Sequence, residues 1–356
     1  MKHTLLNSPT FRLFCRLFCL TVCFATPVVQ AAVILQYHHV DDTTPPSTSI
    51  SPTLFEQHLA YIEEHNFDVW PLPKAIAQLK ANKALPDKVV IITFDDAYES
   101  IYRNAYPLLK SRGLPFTVFV ATQPIEQKLA SFMSWSELNE MANNGATIAN
   151  HTHTHAHLVR RLTGESEDAW LARLQEEINQ PEQLIQKHIS QTDKLFAYPY
   201  GEYTKQIQSL LEEMGYTAFG QQSGAIGLNM EMTSLPRFPM TNRFGAMPQF
   251  ETKIWSLPMA AERLEPDIKI VSGSEFARGF VIQFKEYRAG LNCFFEGQPL
   301  TLAQDQKRVK IDAFPELPVG RSRINCTAPS GQSGRFYWFS HAWIKPKPDG
   351  SWYEER

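Results

Sequence analysis

The stretch that decides the fold is Val89-Val90-Ile91-Ile92-Thr93-Phe94-Asp95-Asp96, an uninterrupted apolar run that ends in two adjacent carboxylates. A β-branched run without polar alternation predicts a strand that is buried on both faces, as in a parallel sheet. Burying two carboxylates beside such a strand is costly unless a ligand or a reaction uses them. Because chemistry in parallel-sheet folds sits at the carboxyl ends of strands, Asp95 and Asp96 are candidate site residues.

A second informative string is Asn150-His151-Thr152-His153-Thr154-His155. On a helix, His151 and His155 lie one turn apart on the same face, so their imidazoles can converge on one ion. Two histidines and one carboxylate form a metal site with open positions for water and substrate, and the second carboxylate can act as a base. Each string alone has a simpler explanation, as a helix N-cap or a solvated His-rich loop. Together they predict a metal-assisted hydrolase.

Short apolar runs alternate with helical patterns from residue 33 to residue 257, which predicts a parallel sheet, open or closed into a barrel. The expected strands are 32–37, 89–94, 116–121, 146–149 and 195–198, and the expected helices are 53–66, 72–80, 98–112, 135–144, 170–188 and 204–214.

Residues 258–266 have the composition of a helical linker, and the pattern changes after them. Short strands punctuated by Gly, Pro and Ser follow, without helices, at 267–271, 279–287, 291–295, 309–313, 321–326 and 335–344. This pattern predicts a small β-sandwich. We therefore expect a catalytic domain over residues 32–257 and an accessory β-sandwich domain over residues 267–356.

The first residues are typical of a secretory leader. A basic start precedes the apolar stretch 17–25, which is short for a membrane span, and small residues stand at positions 29 and 31. We expect a signal peptide at 1–31 and a mature chain that starts at Ala32, with no transmembrane span after cleavage. An alternative is a lipoprotein modified at Cys23. Either alternative predicts export, to the periplasm or cell envelope of a bacterium.

Composition narrows the class of protein. The chain has 356 residues, of which 43% are hydrophobic, enough for two globular domains with sizeable cores. Its net charge of -3 gives no electrostatic reason to expect nucleic acid or an anionic membrane surface as a partner. Cys293 and Cys326 are the two cysteines outside the leader, and in an oxidising compartment we expect them to form a disulfide. Two unpaired buried cysteines are the alternative.

Three motifs carry a resemblance to a known family. Three strings resemble the three motifs of the polysaccharide deacetylases, also called the NodB-homology group or carbohydrate esterase family 4. They are Thr93-Phe94-Asp95-Asp96, His151 to His155, and Phe196-Ala197-Tyr198-Pro199-Tyr200-Gly201. The resemblance covers roughly residues 33–245. It implies an α/β fold, a distorted (β/α) barrel that uses a divalent metal, usually zinc, to hydrolyse N-acetyl groups on amino sugars.

The resemblance also implies roles for residues. Asp96, His151 and His155 match the metal ligands, and Asp95 matches the catalytic base. The tight turn of Tyr198, Pro199 and Tyr200 matches the substrate-binding turn, in which the backbone N–H of Tyr200 faces the developing oxyanion.

The expected general acid comes from the N-terminal end of the predicted barrel, not from a late motif. Gln36-Tyr37-His38-His39-Val40 lies at the end of the first strand, and no later motif offers an acidic histidine. This arrangement resembles the circularly permuted members, including poly-N-acetylglucosamine deacetylases of biofilm systems. His38 is therefore the expected acid, with His39 as the reserve.

One position departs from the family. The third motif usually begins with an arginine that pairs with the base, and Ala197 stands there. Either another cation orients Asp95, with Arg237 as the candidate, or activity is weak. His153 and His157 match no family role.

The leading hypothesis is an exported N-deacetylase of a polymer that resembles poly-N-acetylglucosamine. Alternatives are a deacetylase of peptidoglycan or chitin oligomers, an O-acetyl esterase, and a non-catalytic carbohydrate-binding protein. In the second domain the aromatic run 336–339 should place alternate residues in the core and at the surface, where an exposed subset could hold polymer.

Overall fold

The computed structural model describes residues 31–272 and 275–354. The predicted signal peptide and the alternative lipid site at Cys23 lie outside these residues, apart from Ala31. No helix within the described part of the chain is long and apolar enough to cross a membrane.

Eleven strands lie between residues 31 and 258 of the described chain. They are β1 (Ala32–Tyr37), β2 (His39–Val40), β3 (Ser49–Ile50), β4 (Asp68–Val69), β5 (Val89–Asp95), β6 (Phe116–Val120), β7 (Ala146–Asn150), β8 (Leu195–Ala197), β9 (Thr217–Phe219), β10 (Phe238–Pro239) and β11 (Leu257–Pro258).

Eight α-helices lie in the same described range. They are α1 (Pro52–Glu64), α2 (Leu72–Lys80), α3 (Tyr106–Ser111), α4 (Thr122–Glu126), α5 (Trp135–Asn143), α6 (Glu167–Ile189), α7 (Lys205–Glu213) and α8 (Met247–Ile254). The predicted helix 98–112 is in part a π-helical turn at Ile101–Ala105, which continues into α3.

The main sheet is parallel throughout, in the order β10-β1-β5-β6-β7-β8-β9, and β4 pairs with the first half of β5. A bridge between Phe219 and Leu235 brings the two ends of this order together. The β-branched run of β5 is fully buried because β1 and β6 flank it and helices cover the sheet. The predicted distorted (β/α) barrel is confirmed.

The second part of the chain folds as two packed sheets, which confirms the predicted β-sandwich. Its strands are β12 (Ala261–Glu265), β13 (Phe280–Phe284), β14 (Asn292–Phe295), β15 (Gln298–Pro299), β16 (Ala303–Asp305), β17 (Arg308–Ile311), β18 (Gly320–Pro329) and β19 (Phe336–Lys345). One sheet has the order β11-β19-β18-β14-β15 and the other the order β12-β13-β17-β16. Cys293 and Cys326 face each other on β14 and β18 and form a disulfide.

Two local predictions in this region are wrong. The segment 258–266 is not a helical linker, because β12 occupies most of it and pairs antiparallel with β13. Its Ala, Glu, Arg and Leu residues favour a helix, but the unpaired edge of β13 offers backbone partners that override propensity. Residues 267–271 form no strand, only a single bridge between Ile270 and Ile344.

The aromatic residues of β19 alternate between its two faces, as predicted, but the barrel covers part of the face that points away from the sandwich core. Tyr337, Phe339 and Trp343 pack in the sandwich core. Trp338 points the other way and meets Phe238 of the barrel edge-on, with 5.2 Å between ring centroids. Phe336 is exposed. The barrel therefore covers part of the face that was expected to be exposed, at Trp338, and leaves Phe336 at the surface.

Candidate metal centre and active site

The candidate site lies at one edge of the parallel sheet. Asp95 ends β5 and Asp96 follows it, His151 follows β7, and Tyr200 follows β8. Because these strands are parallel, their carboxyl ends meet at the same end of the barrel. The fold thus brings the three sequence motifs to one place.

The backbone is strained at each motif. Asp96, Thr152, His155 and Tyr200 all have left-handed φ angles, of 73°, 69°, 57° and 60° respectively. Non-glycine residues adopt this region rarely, and surrounding structure must hold them there. Strain at three separate motif loops that meet at one point indicates a functional site.

Asp96, His151 and His155 converge as a group that could hold a metal ion. The Nε2 atoms of His151 and His155 lie 3.2 and 3.1 Å from the same carboxylate oxygen, Oδ1 of Asp96. Asp96 and His151 are buried, whereas the His155 side chain is 26% exposed. The opening at His155 leaves the group accessible from the mouth of the barrel.

The two histidines converge for a different reason from the one expected, because the segment that carries them is a loop. Thr152 turns the chain, and its amide donates to Asn150 Oδ1 at 2.9 Å. Glu177, on helix α6, accepts hydrogen bonds from the backbone N–H groups of loop residues 153 and 154. Left-handed φ angles at Thr152 and His155 then aim both rings at Asp96. The expectation of helical geometry is therefore wrong.

A hydrogen bond on the far side of the His151 ring sets its tautomer. Its Nδ1 lies 2.8 Å from the carbonyl oxygen of Ala197, so Nδ1 carries the proton and donates it. Nε2 is then left with a lone pair that faces Asp96, as in a metal-ligating histidine.

The residues present fit a divalent cation. Oδ1 of Asp96 is buried and makes no hydrogen bond of normal geometry, although two imidazole nitrogens face it. A buried carboxylate oxygen in this position is costly unless a positive charge compensates it. Two imidazoles and one carboxylate are a donor set typical of catalytic zinc.

Asp95 is fully buried and held by a fork of hydrogen bonds. Arg237 donates from both terminal nitrogens, one to each Asp95 oxygen, and both distances are 2.7 Å. Gln36 donates to Oδ2 at 2.6 Å. Burial raises the pKa of Asp95, but the charges of Arg237 and His151 and the hydrogen bond from Arg237 together outweigh burial and hold this pKa below its usual value. The carboxylate is therefore kept ionised.

Arg237 makes the pairing with Asp95 that the resemblance assigns to the missing motif arginine. It precedes β10, is fully buried, and also donates through Nε to the carbonyl of Gly220 at 3.0 Å. The Ala197 side chain has no group that could pair with Asp95, and the guanidinium comes instead from the segment that precedes β10.

His38 and His39 differ in their surroundings. Nε2 of His38 lies 3.9 Å from Oδ2 of Asp95, and its side chain is 15% exposed. Burial lowers the pKa of His38, and the charges of Asp96 and Asp95 act in the opposite direction. His39 stacks on Tyr98 at 3.6 Å, and burial with the charge of His38 lowers its pKa to about 4. Between the two, His38 is the one beside Asp95.

The third motif forms a tight turn at Pro199–Gly201. Tyr200 has left-handed geometry, and its ring lies edge-on to His155 with 4.6 Å between centroids. At Gly201 a Cβ would come within 2.7 Å of Gln221, so only glycine fits. Tyr198 lies in the core, and its hydroxyl donates to the Thr233 carbonyl at 2.8 Å.

Sequence reasoning missed two residues of the site. Gln36 was overlooked, although strand alternation places it on the same face as His38, which is a usable signal. Glu202 follows the third motif and is 1% exposed, with His157 bound to its carboxylate. His153, which matched no role, contacts Thr122 at 2.9 Å.

Comparison with known proteins places the motifs in context. The sequence model of the polysaccharide deacetylase family matches residues 82–219. This range includes Asp95, Asp96, His151 and His155, but neither His38 nor Arg237. A poly-beta-1,6-N-acetyl-D-glucosamine N-deacetylase of Staphylococcus aureus (strain MRSA252) is 28% identical over 194 residues, which cover 53% of this chain and 67% of that protein.

Two solved structures share the fold. IcaB from Ammonifex degensii has a TM-score of 0.55 and 26% identity, and the match covers 62% of this chain and 95% of that one. The deacetylase PplD from Streptococcus pyogenes, in complex with acetate, has a TM-score of 0.57 and 22% identity, covering 64% of this chain and 99% of that one. Both matches cover less than two thirds of this chain.

Proposed function

We propose that this protein is an enzyme that removes N-acetyl groups from a β-linked N-acetylglucosamine polymer, and the match of residues 82–219 to the polysaccharide deacetylase family supports this proposal. The observation that carries the proposal is the convergence of Asp96, His151 and His155 beside the Asp95–Arg237 pair. This arrangement places a candidate cation site next to an ionised carboxylate, a combination suited to the hydrolysis of an unactivated amide.

Asp96, His151 and His155 are the proposed ligands, and zinc is the proposed ion. When bound, such an ion polarises the acetyl carbonyl and acidifies a water molecule. Residues around the site hold the proposed ligands in position. The carbonyl of Ala197 fixes the His151 tautomer, and Glu177 anchors the loop that carries His155.

Asp95 is the proposed base. It takes a proton from the water that attacks the acetyl carbon, and Arg237 and Gln36 fix the orientation of its carboxylate during this transfer. Because Arg237 lowers the pKa of Asp95, the base is ionised throughout the neutral pH range. The cost of this arrangement is a weaker base, and fixed orientation offsets that cost.

His38 is the proposed acid. When the carbon–nitrogen bond breaks, acetate leaves and the amine nitrogen of the sugar must gain a proton. His38 lies beside Asp95 at the mouth of the barrel and can deliver that proton, which it first takes up from solvent. The N–H of Tyr200, on the strained turn, is the proposed donor to the developing oxyanion, and the turn holds it in advance of the reaction.

Two observations favour a poly-N-acetylglucosamine-like substrate. The relative from Staphylococcus aureus is named for that polymer, and His38 stands at the N-terminal position found in the permuted members that the sequence resembles. We also propose that the protein is exported to the periplasm or cell envelope. The leader pattern and the Cys293–Cys326 disulfide support export, because disulfides persist in oxidising compartments.

The test is acetate release from a panel of acetylated glycans. We expect release from poly-N-acetylglucosamine, loss of release with a chelator, and recovery when zinc is added back. Faster release from peptidoglycan, chitin oligomers or O-acetylated sugars would assign the protein to that substrate instead. Binding to glycan without acetate release from any of them would leave a carbohydrate-binding protein.

A further inference from the structure

A chain of contacts joins the C-terminal domain to the metal ligand His155. Building on the proposed function, we infer that Glu202, with its partners Arg321 and Tyr353, positions the Tyr200 turn and through it His155. The β-sandwich is then part of the active-site framework, although it carries no reacting group.

Glu202 is the centre of this chain. It lies in the barrel and is 1% exposed, yet its carboxylate meets groups from both parts of the protein. Its Oε2 lies 2.8 Å from His157 Nδ1, while Oε1 accepts from the Tyr353 hydroxyl at 2.7 Å and from Arg321 at 3.2 Å. A buried carboxylate is stable only when it is paired and hydrogen-bonded in this way.

The next contact is between His157 and Tyr200. Their rings are almost parallel, with an interplanar angle of 4° and 3.7 Å between centroids. The Arg321 guanidinium also lies over the Tyr200 ring, 5.3 Å from its centroid. Because Glu202 binds both His157 and Arg321, one carboxylate orients two of the groups that pack on Tyr200.

The last contact is between Tyr200 and His155, whose rings meet edge-on at 4.6 Å. His155 is the most exposed of the three candidate ligands, so fewer neighbours hold its ring. Tyr200 also has strained backbone geometry, which needs support from its surroundings. If its ring shifts, both the His155 ring and the proposed oxyanion donor lose their positions.

A second ion pair between the two domains provides a matched control. Arg335 of β19 donates to both oxygens of Asp87 at 2.9 and 2.7 Å. Asp87 precedes β5, so this pair lies at the end of the strand opposite Asp95. Arg321→Met and Arg335→Met therefore each remove an arginine that connects the two domains, and only Arg321 contacts the Tyr200 turn.

The experiment compares Tyr353→Phe, Glu202→Gln, Arg321→Met and Arg335→Met in the full chain. The readouts are kcat and KM on short acetylated oligomers, the affinity for Co²⁺, and the absorption spectrum of the cobalt-loaded protein. We expect the first three variants to lose roughly 10–100-fold in Co²⁺ affinity or kcat, with an altered cobalt spectrum and an unchanged KM. Arg335→Met should match the wild type.

Equal losses in Arg321→Met and Arg335→Met would overturn the inference, since domain docking alone would then account for both. Wild-type cobalt spectra in Tyr353→Phe and Arg321→Met would also overturn it. Tyr353→Phe removes only one hydroxyl and its hydrogen bond to Glu202. It therefore still tests the inference if Glu202→Gln does not fold. If the wild type releases no acetate, the proposed function fails, but Co²⁺ affinity and spectra still decide the positioning role.

Discussion

Arg237 and Asp95 form a bidentate pair although they lie 142 positions apart in the chain, and both residues are fully buried. A charge-assisted fork of this kind fixes the plane of the carboxylate as well as its charge. Here it compensates for the alanine in the third motif, because the guanidinium comes from the segment that precedes β10.

We predict that Arg237→Met destabilises the fold by about 3–5 kcal/mol, since it leaves Asp95 buried without a countercharge. Arg237→Lys should retain more stability but still lose activity, because one ammonium group cannot make both hydrogen bonds. Chemical unfolding and acetate release measure the two effects. Full activity in Arg237→Lys would show that carboxylate orientation is unimportant.

We predict that His151→Ala and His155→Ala abolish stoichiometric binding of the divalent metal, because each removes one of three proposed ligands. His153→Ala is the matched control, since His153 lies between them in the same loop and contacts Thr122. It should retain metal. Elemental analysis after dialysis measures this, and full occupancy in either ligand variant would contradict the assignment.

We predict that Asp95→Asn and His38→Ala each lower kcat by about 10²–10⁴-fold, the range for one general base or acid, with metal content unchanged. His39→Ala should cost less, because His39 stacks on Tyr98 and not beside Asp95. Steady-state kinetics on a short oligomer provides the measurement. A larger loss in His39→Ala than in His38→Ala would exchange the two roles.

We predict that Trp338→Ala destabilises the protein by about 3 kcal/mol, as is typical for loss of a large aromatic contact. The exposed Phe336 serves as the control, and Phe336→Ala should change stability by less than about 0.5 kcal/mol. In neither variant should acetate release from long polymer fall more than acetate release from short oligomers. A selective loss on polymer would favour an aromatic binding surface on β19.

We predict a pH-dependent stability difference from Lys253. Its ammonium is buried against the carbonyls of Pro239 and Phe244, and burial lowers the pKa of Lys253 from 10.5 to about 7. Between these values the unfolded chain binds a proton that the folded chain has released, so the contribution of Lys253 to stability falls as the pH drops from 10.5 to 7.

The comparison is between wild type and Lys253→Met. The wild type should gain stability relative to the variant as the pH rises from 7.5 to 9.5, with a slope of up to about 1.4 kcal/mol per pH unit. Unfolding titrations at several pH values measure the slope. A pH-independent difference would show that Lys253 stays charged in the fold.

The sequence predicted the sheet because its strands are local, continuous apolar runs. It also predicted that His151 and His155 meet at Asp96, but through helical geometry that the chain does not adopt. The rings converge because of left-handed residues and the anchoring of the loop by Glu177, from the distant helix α6. Nothing in the spacing of two histidines distinguishes these two solutions.

Other features could not be read from local sequence because they depend on register between distant segments. Gln36 reaches Asp95 because β1 pairs with β5 so that Gln36 lies opposite Thr93. Glu202 is a surface-type residue until Arg321 and Tyr353 cover it. The strand β12 was mistaken for a helix because its pairing with β13 is absent from its own composition.

The placement of β1 has a consequence for how the protein folds during synthesis. β1 is the first barrel strand to be made, but its neighbours in the sheet are β5 and β10, and Leu35 pairs with Phe238. One edge of β1 must therefore stay unpaired until most of the barrel has been synthesised. Such non-local pairing slows folding and exposes an apolar edge to association. We expect the nascent chain to depend on chaperones until β10 emerges.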